Sequence, residues 1–168
     1  MKQIVNILFC ISLLLFSATG FAQTILPEDL SLINLQVMKP SGLEKQDGAA
    51  SLLEERLIQA VILNGIASAV SPFRLTTHIR EQSSQITTST PPQYVTELEV
   101  TCFITDQVEK ITLQQTTFHV KGVARTKEKA FRNAIEQIQA RNPKLKTLLK
   151  KGKEKILLYL LNKEEETR

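Results

Sequence analysis

Apolar and polar positions recur along this chain with periods that specify most of its elements. From Leu30 to Lys39, Ile33, Leu35 and Val37 alternate with Asn34, Gln36 and Met38, the period of a half-buried strand, and Pro40, Ser41 and Gly42 stop it. Ser51 followed by Glu54 has capping-box spacing. Leu53, Leu57, Ala60 and Val61 then share one helical face up to Asn64-Gly65, a C-terminal stop. Beyond Ser71-Pro72, Phe73, Leu75, Thr77 and Ile79 alternate with Arg74, Thr76, His78 and Arg80, which predicts a strand with one wet face ending near Glu81. Residues 82–92 are Gln, Ser, Thr and Pro around a lone Ile86 and read as a flexible loop or a ragged edge hairpin.

Two β-rich runs follow, Tyr94 to Thr105 and Glu109 to Val120, separated only by Asp106, Gln107 and Val108. So short a connection predicts an antiparallel hairpin. Gly122 ends the second run, Thr126 is the expected N-cap of a helix, and Phe131, Ala134, Ile135 and Ile138 trace its apolar stripe. Asn142-Pro143 opens the last helix, with Asn as cap and Pro at the first helical position. There Leu145, Leu148, Leu149, Gly152, Ile156 and Tyr159 fall on one face, with Lys144, Lys146, Lys150, Lys151, Lys153 and Lys155 along its flanks. Leu157, Leu158 and Leu161 project from the other side, so the helix ends apolar all round. These three leucines are candidate contacts for an intrachain neighbour, a second subunit or a protein partner. The expected fold is α+β, in the order β-α-β-β-β-α-α, with one mixed or antiparallel sheet of about four strands and helices on one face.

The first 22 residues change how the whole-chain averages are read. Lys2 is a positive n-region, Ile7 to Phe16 an apolar h-region, and Ala18-Thr19-Gly20-Phe21-Ala22 a small-residue cleavage site, the three parts of a secretory signal peptide. A spanning helix needs about 20 apolar residues, and the uncharged run breaks sooner at Ser17, Thr19, Gly20 and Gln23, so no transmembrane anchor is expected. Bulky Phe9 before Cys10 speaks against a lipid-modified cysteine. Residues 23–168 then form a single domain, exported to the periplasm or envelope or released. They contain one cysteine, Cys102, alternating with Leu98, Val100 and Ile104 on a strand face and read as a small buried hydrophobe.

The formal net charge of the full chain is +4, yet residues 121–168 carry 14 Lys/Arg against 6 Asp/Glu while residues 23–120 carry 6 against 11. Such a split steers the basic helices towards an anionic envelope surface. The six lysines of the last helix are the candidate anion-facing residues. With no Trp and two Tyr, stacking platforms are few, and no nucleic-acid partner is expected. His78 and His119 have no Cys, Asp or Glu at ligand spacing, and Gly122 lacks the further glycines of a phosphate-cradling loop, so no metal, cofactor or catalytic residue is assigned. Glu97 and Glu99, together with His78, remain the one alternative, as the pocket of a small envelope hydrolase or glycan-binding domain. As i, i+2 neighbours on a strand, however, they have the spacing of surface charge, relieved by Lys110 or the strand arginines.

The passage Phe118 to Gly122, then Thr126, Ala130, Ala134 and Ile138, resembles small envelope α/β domains. These are the amino-terminal domain of TolB, the periplasmic domain of the curli secretion lipoprotein, and the lipoprotein activators of penicillin-binding proteins. Leu53 to Leu57, Asn64-Gly65, Pro91-Pro92, Leu98 to Val100, Val120 to Val123 and Lys151 to Lys153 together resemble uncharacterised exported proteins of Gram-negative bacteria. The resemblance implies a domain that binds rather than catalyses, and no catalytic residue is carried over from it. The function expected is a non-enzymatic envelope module that meets a protein partner or a second copy of itself.

Overall fold

In a computed structural model that describes residues 33–43 and 46–166, the elements are β1 (Gln36–Val37), α1 (Asp47–Leu63), β2 (Phe73–Ile86), β3 (Tyr94–Asp106), β4 (Ile111–Ala124), α2 (Lys127–Glu136) and α3 (Pro143–Glu166). The order is the one expected, and the fold is α+β. The signal peptide and the start of the first expected strand lie outside the described residues.

One sheet, ordered β1-β2-β3-β4, carries a parallel β1–β2 pair and two antiparallel pairs. Strand alternation sorts its faces. Leu98, Val100, Cys102 and Ile104 of β3 are fully buried beneath the helices, alongside Leu75 and Ile79 of β2 and Phe118 of β4. The intervening Glu97, Glu99, Thr101, Phe103 and Thr105 line the uncovered face. Helix stripes close the other side: Leu53, Leu57, Ala60 and Val61 from α1, Ala130, Phe131, Ala134 and Ile135 from α2, and Leu145, Leu148 and Leu149 from α3.

Local chemistry explains the element ends. The α1 stop is a Schellman motif: Gly65 takes φ 67°, its amide donates to the Ile62 carbonyl at 2.9 Å and the Ile66 amide to Val61 at 3.3 Å. Thr126 Oγ1 accepts from the Lys129 amide at 3.3 Å, and Asn142 Oδ1 from the Lys144 amide at 2.8 Å, so both expected caps form.

Four boundaries differ from the sequence reading. α1 starts at Asp47, before Ser51, with no side-chain cap on Gln46. The extra turn brings Ala49 and Ala50 into the core, and exposed Ser51 becomes an interior helical residue. β1 shrinks to two residues because Leu35 exchanges hydrogen bonds with Ile66 and Ser68 rather than extending a ladder. Beyond Pro40, the Ser41 amide donates to Thr77 and the Ile79 amide to Ser41, so the chain still follows β2. β2 runs past Glu81 through Ile86, resuming after a bulge with Ser83 opposite Glu97 and Ile86 opposite Tyr94. The first part of the expected loop is therefore strand.

Gly122, expected to end a strand, lies inside β4 where α2 crosses it. A Cβ there would overlap the Ala130 carbonyl oxygen and the Ala134 amide. Glycine at 122 is what lets that helix lie directly on the sheet.

Candidate functional site

The last helix is the element on which the candidate contacts converge, and its burial decides what they can do. Leu145, Leu148, Leu149, Gly152 and Ile156 all face the sheet and are buried. Gly152 sits against the Ile104 side chain, where any Cβ would overlap the isoleucine δ-methyl. Leu157 is also buried, at 6% exposure, so of the contacts open to it this leucine takes the intrachain one. At 100° per residue, Leu157 stands about 120° round from Leu145. That arc is occupied because the helix has a second neighbour on this flank: Lys153 Nζ donates to the Asn64 carbonyl at the end of α1, 2.6 Å away. Leu161 is half-buried against the core. The outward apolar residues are Leu158, 50% exposed, and Leu160, 38% exposed.

The six lysines divide in the same way. Lys144, Lys146, Lys150, Lys151 and Lys155 are exposed. Lys153 is half-buried and caps α1, placing a cation at the negative end of that helix dipole, so it is not an anion-facing residue.

Near the other end of α3, Tyr159 meets Phe73 edge-to-face, with ring centroids 6.5 Å apart. Lys163 lies 5.7 Å over the Tyr159 ring and 2.8 Å from Glu109. Burial of the Tyr159 hydroxyl, and then the neighbouring Asp106 carboxylate, push the phenol upward from its ordinary value. Asp106 is itself buried and accepts the Val108 amide at 2.7 Å, which closes the β3–β4 turn. These contacts fasten α3 to the hairpin turn.

The alternative acid–base set is spread across the uncovered sheet face. Glu99 lies 2.9 Å from Arg80 and accepts from Gln82 at 3.0 Å. Glu97 lies 3.2 Å from Lys121 and accepts from Ser83 at 3.4 Å. A strand arginine therefore does relieve Glu99, whereas Lys121 rather than Lys110 relieves Glu97. His78 Nδ1 stands 3.0 Å from Ser41 Oγ, and His119 is across the strand pair from Glu99. Glu97, Glu99 and His78 thus have separate neighbours along the sheet face. Among the described residues, no three His, Cys, Asp or Glu side chains gather as a metal site, and no helix is long and apolar enough to cross a membrane.

Cys102 behaves as a core residue. Burial pushes its thiol up to about 11, partly offset by the Thr77 hydroxyl, which donates to Sγ at 3.4 Å. A thiol-reactive maleimide should leave the native protein unlabelled near neutral pH and label it fully in denaturant. Labelling of the folded protein at the denatured rate would contradict the burial. The raised value also has a stability consequence. Below 9.0, the unperturbed value, both states keep the proton and nothing changes; between 9.0 and about 11 the unfolded chain loses it first, so stability falls as pH rises through that window.

Sequence reasoning passed over one arrangement on the helical layer. Arg56, Gln59 and Leu63 of α1, Glu136 of α2, and Gln139, Ala140 and Arg141 of the connection to α3 line a cleft of about 370 Å³. A second cleft of about 290 Å³ shares Leu63, Ala140 and Arg141 and adds Asn64 and Lys146. No local motif marks these residues, because the groups that meet are far apart in the chain.

No protein-family model matches this chain, and no curated protein matches it significantly. Among solved structures it is similar to a Xanthomonas campestris protein of the DUF330 family, with 17% identity and a TM-score of 0.47 over 77% of this chain and 88% of that one. A minor lipoprotein from Acinetobacter baumannii matches with 14% identity and a TM-score of 0.39, over 75% of this chain and 93% of the other. The PelC dodecamer from Paraburkholderia phytofirmans matches with 11% identity and a TM-score of 0.37, over 71% and 83%. All three come from Gram-negative bacteria. Overlaps this loose carry no argument about activity or assembly.

Proposed function

We propose that the protein is a non-enzymatic module of the bacterial cell envelope, exported by residues 1–22, which self-associates through the outer end of α3. The observation that carries this reading is Leu158, 50% exposed on the final turns of a helix whose opposite face is already packed, with half-buried Leu161 three residues on along the same side. A second copy of the same helix end presents the same side and buries both Leu158 side chains at once, as a two-fold interface does. The likeness of Phe118 to Ile138 to envelope binding domains supports the same class of function. So does the engagement of Glu97 and Glu99 in cross-strand charge pairs, which removes them as a free acid–base couple.

Light scattering on the purified protein tests the reading. The wild type is expected to show a mass above the monomer that rises with concentration, and Leu158→Glu is expected to return it to monomer. A wild type that stays monomeric across the accessible concentration range overturns self-association, as does an oligomer that is indifferent to the substitution.

A further inference from the structure

The cleft between α1 and the α2–α3 connection carries an electrostatic imbalance. Neither Arg56 nor Arg141 forms an ion pair with a described residue, and Arg56 Nε is buried with no hydrogen-bond partner. A guanidinium nitrogen withdrawn from water and left unpaired is costly. The one carboxylate in the lining, Glu136, accepts Arg132 Nε at 3.2 Å. Lys146, at the mouth shared with the second cleft, is exposed and has no carboxylate partner among the described residues. Gln139 adds a side-chain amide to the wall, whereas that of Gln59 is directed to Glu55 at 3.3 Å.

Half-buried Arg56 and exposed Arg141 line one cleft, and Arg141 and exposed Lys146 line the adjoining one, against a single lining carboxylate, Glu136, so an anion there meets an excess of positive charge. Arginine forks match the paired oxygens of a phosphate in plane and spacing, and a space of about 370 Å³ is at the small end of ligand sites. We propose that this cleft is a phosphate-binding site, gripped by Arg56 and Arg141 with Lys146 at its mouth, for a phosphate-bearing small molecule or headgroup. The site differs from the anionic-surface role read from the exposed lysines of α3, since it is a cleft with specific donors rather than a charged flank. It stands apart from self-association through Leu158, and either holds if the other fails.

The test is a titration of the purified protein with inorganic pyrophosphate at about 0.15 M salt, where diffuse surface attraction is screened, followed by amide chemical shifts. Saturable shifts are expected around Arg56, Gln59, Arg141 and Lys146. Arg56→Gln and Arg141→Gln should each weaken binding about tenfold, and Arg56→Lys, which keeps the charge but not the fork, should also weaken it. Lys150→Gln with Lys151→Gln, removing charge from the open flank of α3, should leave it unchanged. Maleimide protection of Cys102 in every variant confirms that the fold is intact. Absence of saturation by about 10 mM pyrophosphate, or equal weakening by the flank and cleft substitutions, overturns the site. Phosphatidylglycerol vesicles, with phosphatidylcholine as control, separate the sources: vesicle binding that pyrophosphate competes away identifies a lipid headgroup, and pyrophosphate binding with no vesicle binding identifies a soluble phosphate. Vesicle binding that survives Arg56→Gln and is not competed overturns the assignment to this cleft.

Discussion

Gly122→Ala is expected to lower the unfolding free energy by about 3 kcal/mol or more, a large share of the stability of a domain this size. The added methyl has nowhere to go. It would overlap backbone atoms of α2, the Ala130 carbonyl and the Ala134 amide, and backbone cannot rotate aside as a flexible side chain does. To admit it, α2 must lift from β4, loosening Ala130, Phe131, Ala134 and Ile135, all of them buried. Urea unfolding monitored by circular dichroism measures the effect as a lower midpoint with an unchanged slope. A midpoint equal to wild type would mean that α2 does not rest on the sheet at Gly122.

A comparably large effect is expected from Leu157→Glu, and almost none from its neighbour. Leu157 is 6% exposed and belongs to the core, whereas Leu158 is 50% exposed. Glutamate at 157 removes apolar burial and places a carboxylate among apolar side chains, at a cost of about 3 kcal/mol or more. At 158 the same charge stays in water, and the change should lie within about 0.5 kcal/mol. Both variants are compared by thermal unfolding at a concentration low enough for all forms to be monomeric, so that loss of assembly does not enter. Equal destabilisation would place the two leucines in similar surroundings and remove the reason for assigning only one to an intermolecular contact.

The contrast between these adjacent leucines shows where periodicity loses resolution. Spacing alone locates a helical face to within an arc, and α3 buries a wider arc than a helix with one neighbour, because the end of α1 reaches its flank through Lys153 and Asn64. The last residues of β2 failed in the other direction. Ser83, Ser84 and Gln85 have no apolar signal, yet after the bulge at Gln82 they continue the strand because their pairing with β3 is a matter of backbone hydrogen bonds and register rather than side-chain burial. Ser51 and Glu54 have the spacing of a cap, but burial of Ala49 and Ala50 rewards an earlier start. The candidate site was less legible still. Lys144 to Lys155 were visible as a charged flank, whereas Arg56 and Arg141 carry no shared motif.

By itself the sequence determined the element order, the β3–β4 hairpin, the Gly65 stop, the Thr126 and Asn142 caps, and the burial of Cys102. Each of these depends on residues close in the chain, through alternation, helical period or a single side chain reaching its own backbone. Only the tertiary structure decided that Leu157 is core and Leu158 is not, that Glu97 and Glu99 are held by Lys121 and Arg80, and that two arginines from distant elements share one cleft. Those outcomes depend on which surfaces meet, and a surface is assembled from segments whose separation along the chain leaves no periodic trace.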